Sequence, residues 1–162
     1  MRTKKFFLNA ILISALFFLL ISTGTFSQTY SFDNYTVQNG IVQSNVAAIV
    51  QDNNGDIWLG TGSGVSRFNG KTVQNYSTDN GLADNNVTAM LLDNNGFIWF
   101  AHANGALSKY DGKKIEAVNS EFLPKDKNIF ALYQDKQNRI WICTAQFRAI
   151  AIKDPQGDLA KK

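Results

Sequence analysis

The chain has 162 residues, 44% of them hydrophobic and 12% aromatic, which is enough for the core of one domain and excludes a disordered polar chain. Its formal charge of +3 is supplied by Arg2, Lys4 and Lys5. From Gln28 onward 13 basic residues face 13 acidic ones, so nucleic-acid binding loses its electrostatic warrant. A single cysteine, Cys143, excludes a disulfide within the chain.

Residues 1–27 read as a helical secretory signal peptide. A basic start precedes an apolar stretch from Phe6 to Ile21, and Thr25 and Ser27 are the small residues expected before a cut. That stretch contains Asn9 and Ser14 and falls short of the roughly 20 mostly apolar residues of a spanning helix. The mature chain is expected to be exported and held together by packing alone.

A repeat organises everything that follows. Tyr35 to Leu59 and Tyr76 to Phe100, 41 residues apart, are identical at 12 of 25 positions, and a third copy runs from Asn128 to Ile142. In each copy an apolar run meets an Asp-x-x-Gly or Asp-x-x-Asn corner and then an Ile-Trp pair: Ile57-Trp58, Ile98-Trp99 and Ile140-Trp141. In the first two copies a glycine-containing turn, an alternating run and Asn69-Gly70 or Asp111-Gly112 follow, the last being strong two-residue hairpin signals; in the third, Phe147 and Arg148 stand in the place of the turn glycine. Four short strands per 41 or 42 residues is the period of a β-propeller blade.

The expected fold is therefore all-β, a propeller segment of about three four-stranded blades in an incomplete ring. Residues 28–34 are predicted to be an outer strand that closes a blade, because Phe32 and Tyr35 align with Val73 and Tyr76. Blade 1 then covers 35–75, blade 2 covers 76–117, a partial blade 3 covers 118–153, and 154–162 is a tail. Three blade equivalents are fewer than the four or more a closed propeller needs. The expectation is a piece of a longer protein; the alternative is two chains in one ring, each N-terminal strand completing the partner's last blade.

The repeats N-G-I-V-Q-S-N-V-A-A-I-V-Q-D-N-N-G-D-I-W-L-G and N-G-L-A-D-N-N-V-T-A-M-L-L-D-N-N-G-F-I-W-F-A resemble the two-component regulator propeller repeat over roughly residues 30–153. The resemblance implies the periplasmic sensor region of a membrane histidine kinase, often a hybrid, responding to oligosaccharides. It implies as partners the remaining blades and the kinase domains of a longer parent. No residue here carries a kinase function. Similar repeats also occur in propellers resembling streptogramin lyases, which would need a histidine and acidic residues converging on one face; a free-standing secreted binding protein is the other alternative.

Candidate sites are weighed against packing. Trp58, Trp99 and Trp141 recur at one place in each unit, which fits packing between blades better than a sugar platform. Asp52-Asn53-Asn54-Gly55-Asp56 lacks the glutamate of a calcium loop, Ser63 and Asn104 standing at the twelfth position, and reads as a capped turn. Cys143 aligns with Gly60 and Ala101 and reads as a small buried side chain, so no pair with His102, no catalytic residue, metal or cofactor is assigned. The remaining ligand-binding candidates are the polar turns after the second strands: Thr61 and Ser63, His102 and Asn104, Gln146 and Arg148. Their hydroxyl and amide groups suit a neutral sugar or another small molecule.

Overall fold

The computed structural model describes residues 30–121, 123–145 and 149–152. Two compact units divide between Asp33 and Asn34; of the first, residues 30–33 are described, exposed and outside any strand. The second is built of antiparallel meanders. β1 (Val46–Gln51), β2 (Ile57–Thr61), β3 (Gly64–Phe68) and β4 (Val73–Tyr76) form the first sheet in chain order. β5 (Val87–Leu92), β6 (Ile98–His102), β7 (Leu107–Tyr110) and β8 (Ile115–Val118) form the second, and β9 (Ile129–Gln134), β10 (Ile140–Thr144) and β11 (Ala149–Ile152) the third. These are blades of an all-β propeller fold.

The corner between the first two strands of each blade is set by one carboxylate. Asp52 Oδ1 accepts from the amides of Asn54 and Asp56 at 2.9 and 3.0 Å, and its Oδ2 accepts from Trp58 Nε1 at 2.8 Å. Asp93 does the same for Asn95, Phe97 and Trp99, and Asp135 for Gln137, Arg139 and Trp141. The corner needs one left-handed residue, which is Gly55 at φ 89°, Gly96 at φ 84° and Asn138 at φ 59°; asparagine is the side-chain-bearing residue that best tolerates that region. One aspartate thus closes the turn and fixes the tryptophan ring.

The register sorts side chains onto two faces. Trp58, Val65 and Val50 of the first sheet pack on Met90, Ile98 and Phe100 of the second, with Tyr110 and Ile115 completing the seam. Trp99, Ala101 and Leu107 on the second sheet's other face meet Ile129, Ile140, Ile142 and Ile152 of the third. The close approach requires a small residue beside each tryptophan: a Cβ on Gly60 would lie 2.7 Å from Met90 Sδ and 2.8 Å from Val87 Cγ1. Arg67 crosses the first seam, its Nη1 donating to Tyr110 Oη at 3.1 Å while its guanidinium lies 5.1 Å from the centre of the Trp58 ring.

The connections between blades also contribute to the core. Thr36 and Ser77 cap short 3-10 turns, Val37–Asn39 and Thr78–Asn80, each with a reciprocal asparagine and a following left-handed glycine. The chain then folds back so that Val42 N donates to Ser66 Oγ and Ala83 N to Ser108 Oγ, both at 2.9 Å. This seats Ile41 and Leu82, each 4% exposed. Leu123, another 41 residues on, packs against the second seam.

Of the outer strand expected at 28–34, the described residues 30–34 carry no strand. A strand exists only through its ladder, and among the described residues β11 pairs with β10 alone. The expected signal peptide and the tail from 154 lie outside the described residues.

Candidate functional site

The turns after the second strands and the connections entering the first strands gather at one end of the sheets. Ala103 N donates to the Asn86 carbonyl at 3.0 Å, and Ala145 N to that of Asn128 at 3.2 Å. Gly62 stands beside the side chains of Gln43 and Asn86. The next connection joins as well, because Asp126 N donates to the Asn104 carbonyl at 3.0 Å. Gly105 is indispensable to this contact: a Cβ there would lie 1.6 Å from the Pro124 carbonyl oxygen.

The sequence candidates divide into a buried and an exposed set. Thr61 is fully buried, its hydroxyl donating to the Gly64 carbonyl at 2.9 Å and accepting from Ser63 N at 3.1 Å, so it shapes its own turn. Ser63 and Asn104 are exposed at the tips of successive turns. Asn104 Oδ1 accepts from Ala106 N at 2.9 Å, which leaves its amide NH₂ outside that turn's own bond. Gln146 and Arg148 lie outside the described residues. Gln43 and Asn86, in the connections entering the first strands, join the rim.

His102 is fully buried, and its Nε2 lies 2.8 Å from Ser108 Oγ. The repeat explains it. In the first blade Ser66 Oγ accepts from Val42 N and donates to Asn75 Oδ1 at 2.6 Å. In the second, Ala117 pairs with Ser108 in the place where Asn75 pairs with Ser66, and His102 supplies the partner that alanine lacks. Burial drives its pKa down to about 4 against the opposing pull of the Asp84 carboxylate and the Asn86 carbonyl, so the ring is neutral at pH 7. Thr144, the third residue of this series, is 2% exposed.

The other candidates are structural. Trp58 and Trp99 are 0% and 1% exposed and lie within the seams, and the corner aspartates are occupied by protein donors. Cys143 is half-buried on β10 between Ala131 and Ala149. Among the described residues no group of three or more His, Cys, Asp or Glu could hold a metal ion.

Comparison with known proteins agrees with this architecture. The family described as "Two component regulator propeller" matches at residues 40–63, 81–104 and 123–146, each beginning in a blade-entering connection and the first two ending at the rim-turn residues Ser63 and Asn104. The chain is 37% identical over 57 residues, 35% of its length, to Histidine kinase P4 of Formosa agariphila, and covers 4% of that protein. The extracellular domain of a hybrid two-component system from B. thetaiotaomicron superimposes on 78% of the chain with a TM-score of 0.62 at 19% identity, the chain covering 19% of that domain. Virginiamycin B lyase from Staphylococcus aureus superimposes on 81% with a TM-score of 0.51 at 16% identity, the chain covering 46% of it. At those identities the two solved structures speak for the fold alone. With blades, corners and matched segments coinciding, this chain carries three copies of the two-component regulator propeller repeat.

Proposed function

We propose that these residues form the ligand-sensing part of a two-component signalling receptor, exported to the periplasm and read by a histidine kinase module beyond them. The observation that carries the reading is the threefold match to the regulator propeller repeat, the first two segments ending at the rim-turn residues Ser63 and Asn104. The kinship with Histidine kinase P4 and with extracellular domains of two-component systems supports it. Among the described residues no helix is long and apolar enough to cross a membrane.

The ligand class follows from the rim. Ser63, Asn86 and Asn104 offer exposed hydroxyl and amide groups, which recognise the hydroxyls of a neutral oligosaccharide. A sugar held across successive turns would favour one relative pose of the blades, and binding transmits a signal only through such a difference in affinity between two poses. A lyase would need a general base, and the chain's one histidine is buried against Ser108.

Titration calorimetry of the chain against neutral oligosaccharides from digested polysaccharides tests the reading. Binding by at least one, lost in Ser63→Ala and Asn104→Ala, is expected. Binding by none, or binding indifferent to both substitutions, would refute the rim as the sensor site.

A further inference from the structure

Asparagine followed by glycine occurs six times in the chain. The pair carries its own chemistry: with no Cβ in the way, the glycine amide nitrogen can attack the asparagine Cγ and close a five-membered ring. The attack depends on the glycine N–H, since a donor committed to a carbonyl is held protonated and turned away from the side chain. Five of the six are committed. The amides of Gly40, Gly55, Gly81, Gly96 and Gly105 each donate to the carbonyl three residues back, at 3.0 to 3.2 Å. Gly70 differs. It is the first of two loop residues in the hairpin between β3 and β4, at φ 86°, and its amide has no acceptor among the described residues. The side-chain carbonyl of Asn69 is polarised at the same time: its Oδ1 accepts from the amides of Lys71 and Thr72 at 3.0 and 2.8 Å and from the Thr72 hydroxyl at 3.2 Å.

We propose that Asn69 is a site of spontaneous deamidation, selected over the other five Asn-Gly pairs by the free Gly70 amide and by the three donors on its own side-chain carbonyl. The Gly70 nitrogen gives its proton to hydroxide and bonds to Asn69 Cγ, and the three donors face the oxygen that takes up negative charge at that stage. The side-chain nitrogen takes a proton from water and leaves as ammonia with its bonding electron pair, which gives a succinimide. Water then opens the ring. Attack at Cγ breaks the new bond and leaves an ordinary aspartate; attack at the backbone carbonyl breaks the original peptide bond, so that the chain runs through the former side chain. One water enters and one ammonia leaves. A Cβ on Gly70 would meet nothing within 4 Å, so the ring and the water both have room. That openness belongs to the turn itself: Gly112, in the corresponding hairpin of the second blade, which has a sheet packed on each face, also meets nothing within 4 Å. Asp111 stands there in the place of Asn69, its Oδ1 accepting from the amides of Lys113 and Lys114 at 2.8 Å, so the turn accommodates the aspartate product.

The test is peptide mapping by mass spectrometry after incubation of the folded chain at mildly alkaline pH. Trypsin cuts after Arg67 and Lys71, which releases Phe68 to Lys71 apart from the segments holding the other five pairs. Conversion of amide to acid in that peptide is expected at least about 10-fold faster than at any other pair. In urea, where the turns are lost, all six should convert at similar rates. Thr72→Val removes the hydroxyl donor at an exposed position and should slow the step about 3-fold in the folded chain, but not in urea, with the circular dichroism spectrum unchanged. Faster conversion at another pair of the folded chain, comparable rates at all six, or an Asn69 that stays intact while the urea-treated chain converts would overturn the proposal. So would a Thr72→Val rate equal to that of the parent.

Discussion

The aspartate at each corner is the smallest unit that determines the structure, since one carboxylate serves two backbone amides and an indole. Asp93→Ala strands all three donors where Asp93 is 4% exposed. We expect a loss of about 3–5 kcal/mol by urea denaturation, against roughly 1–2 kcal/mol for Trp99→Phe, which removes only the indole donor. Equal losses would contradict the turn-closing role. The turn was legible in the sequence, because Asp-x-x-Gly has a known local chemistry; the indole bond was not, because it joins residues six apart through side-chain geometry alone.

His102 sets the pH dependence. Its folded pKa of about 4 lies below the ordinary value of 6.5, so as pH falls through that interval the unfolded chain takes up a proton that the folded chain refuses. Stability should drop by the order of 3 kcal/mol between pH 6.5 and 4, and His102→Gln should flatten that slope. Identical slopes would contradict the buried neutral ring. Asp135 acts lower down: burial works to raise its pKa, but the Trp141 indole, the backbone amides and Arg139 outweigh it and hold it at about 2. Its contribution is intact above the ordinary carboxylate pKa and is lost as pH falls through about 2.

At the scale of elements, strands and hairpins follow from periodicity and turn residues, and β1 to β10 lie where the apolar runs and the Asp-x-x-Gly or Asp-x-x-Asn corners place them. The connections were less legible. Ile41, Leu82 and Leu123 recur every 41 residues, yet a single apolar residue in a polar loop has no period of its own, and for Ile41 and Leu82 the role appears only once the loop has folded back onto the serine of the third strand. Leu82→Ala should cost about 2–4 kcal/mol, as truncation of a buried leucine does. A cost under about 0.5 kcal/mol, the range of an exposed substitution, would deny that the connection is part of the core. The expected outer strand at 28–34 illustrates the converse: alignment with a fourth strand can mark a segment fit to be a strand, whereas pairing depends on an edge that lies outside local sequence.

For the whole molecule, the sequence conveyed the repeat and hence the array of blades, because repetition survives in one dimension. The rim was only partly legible. Polar residues at equivalent positions look alike in sequence, and burial alone separates Thr61 and His102, which serve the turn and Ser108, from Ser63 and Asn104, which face water. Stacking of each tryptophan face on the next blade holds the two seams and, through them, the rim turns. Exchange of the three tryptophan indole protons with deuterated water, followed by NMR, tests that stacking most directly. Slow exchange at Trp58 and Trp99 with distinctly faster exchange at Trp141 is the expected result; fast exchange at Trp58 or Trp99, or one common rate for all three, would contradict it.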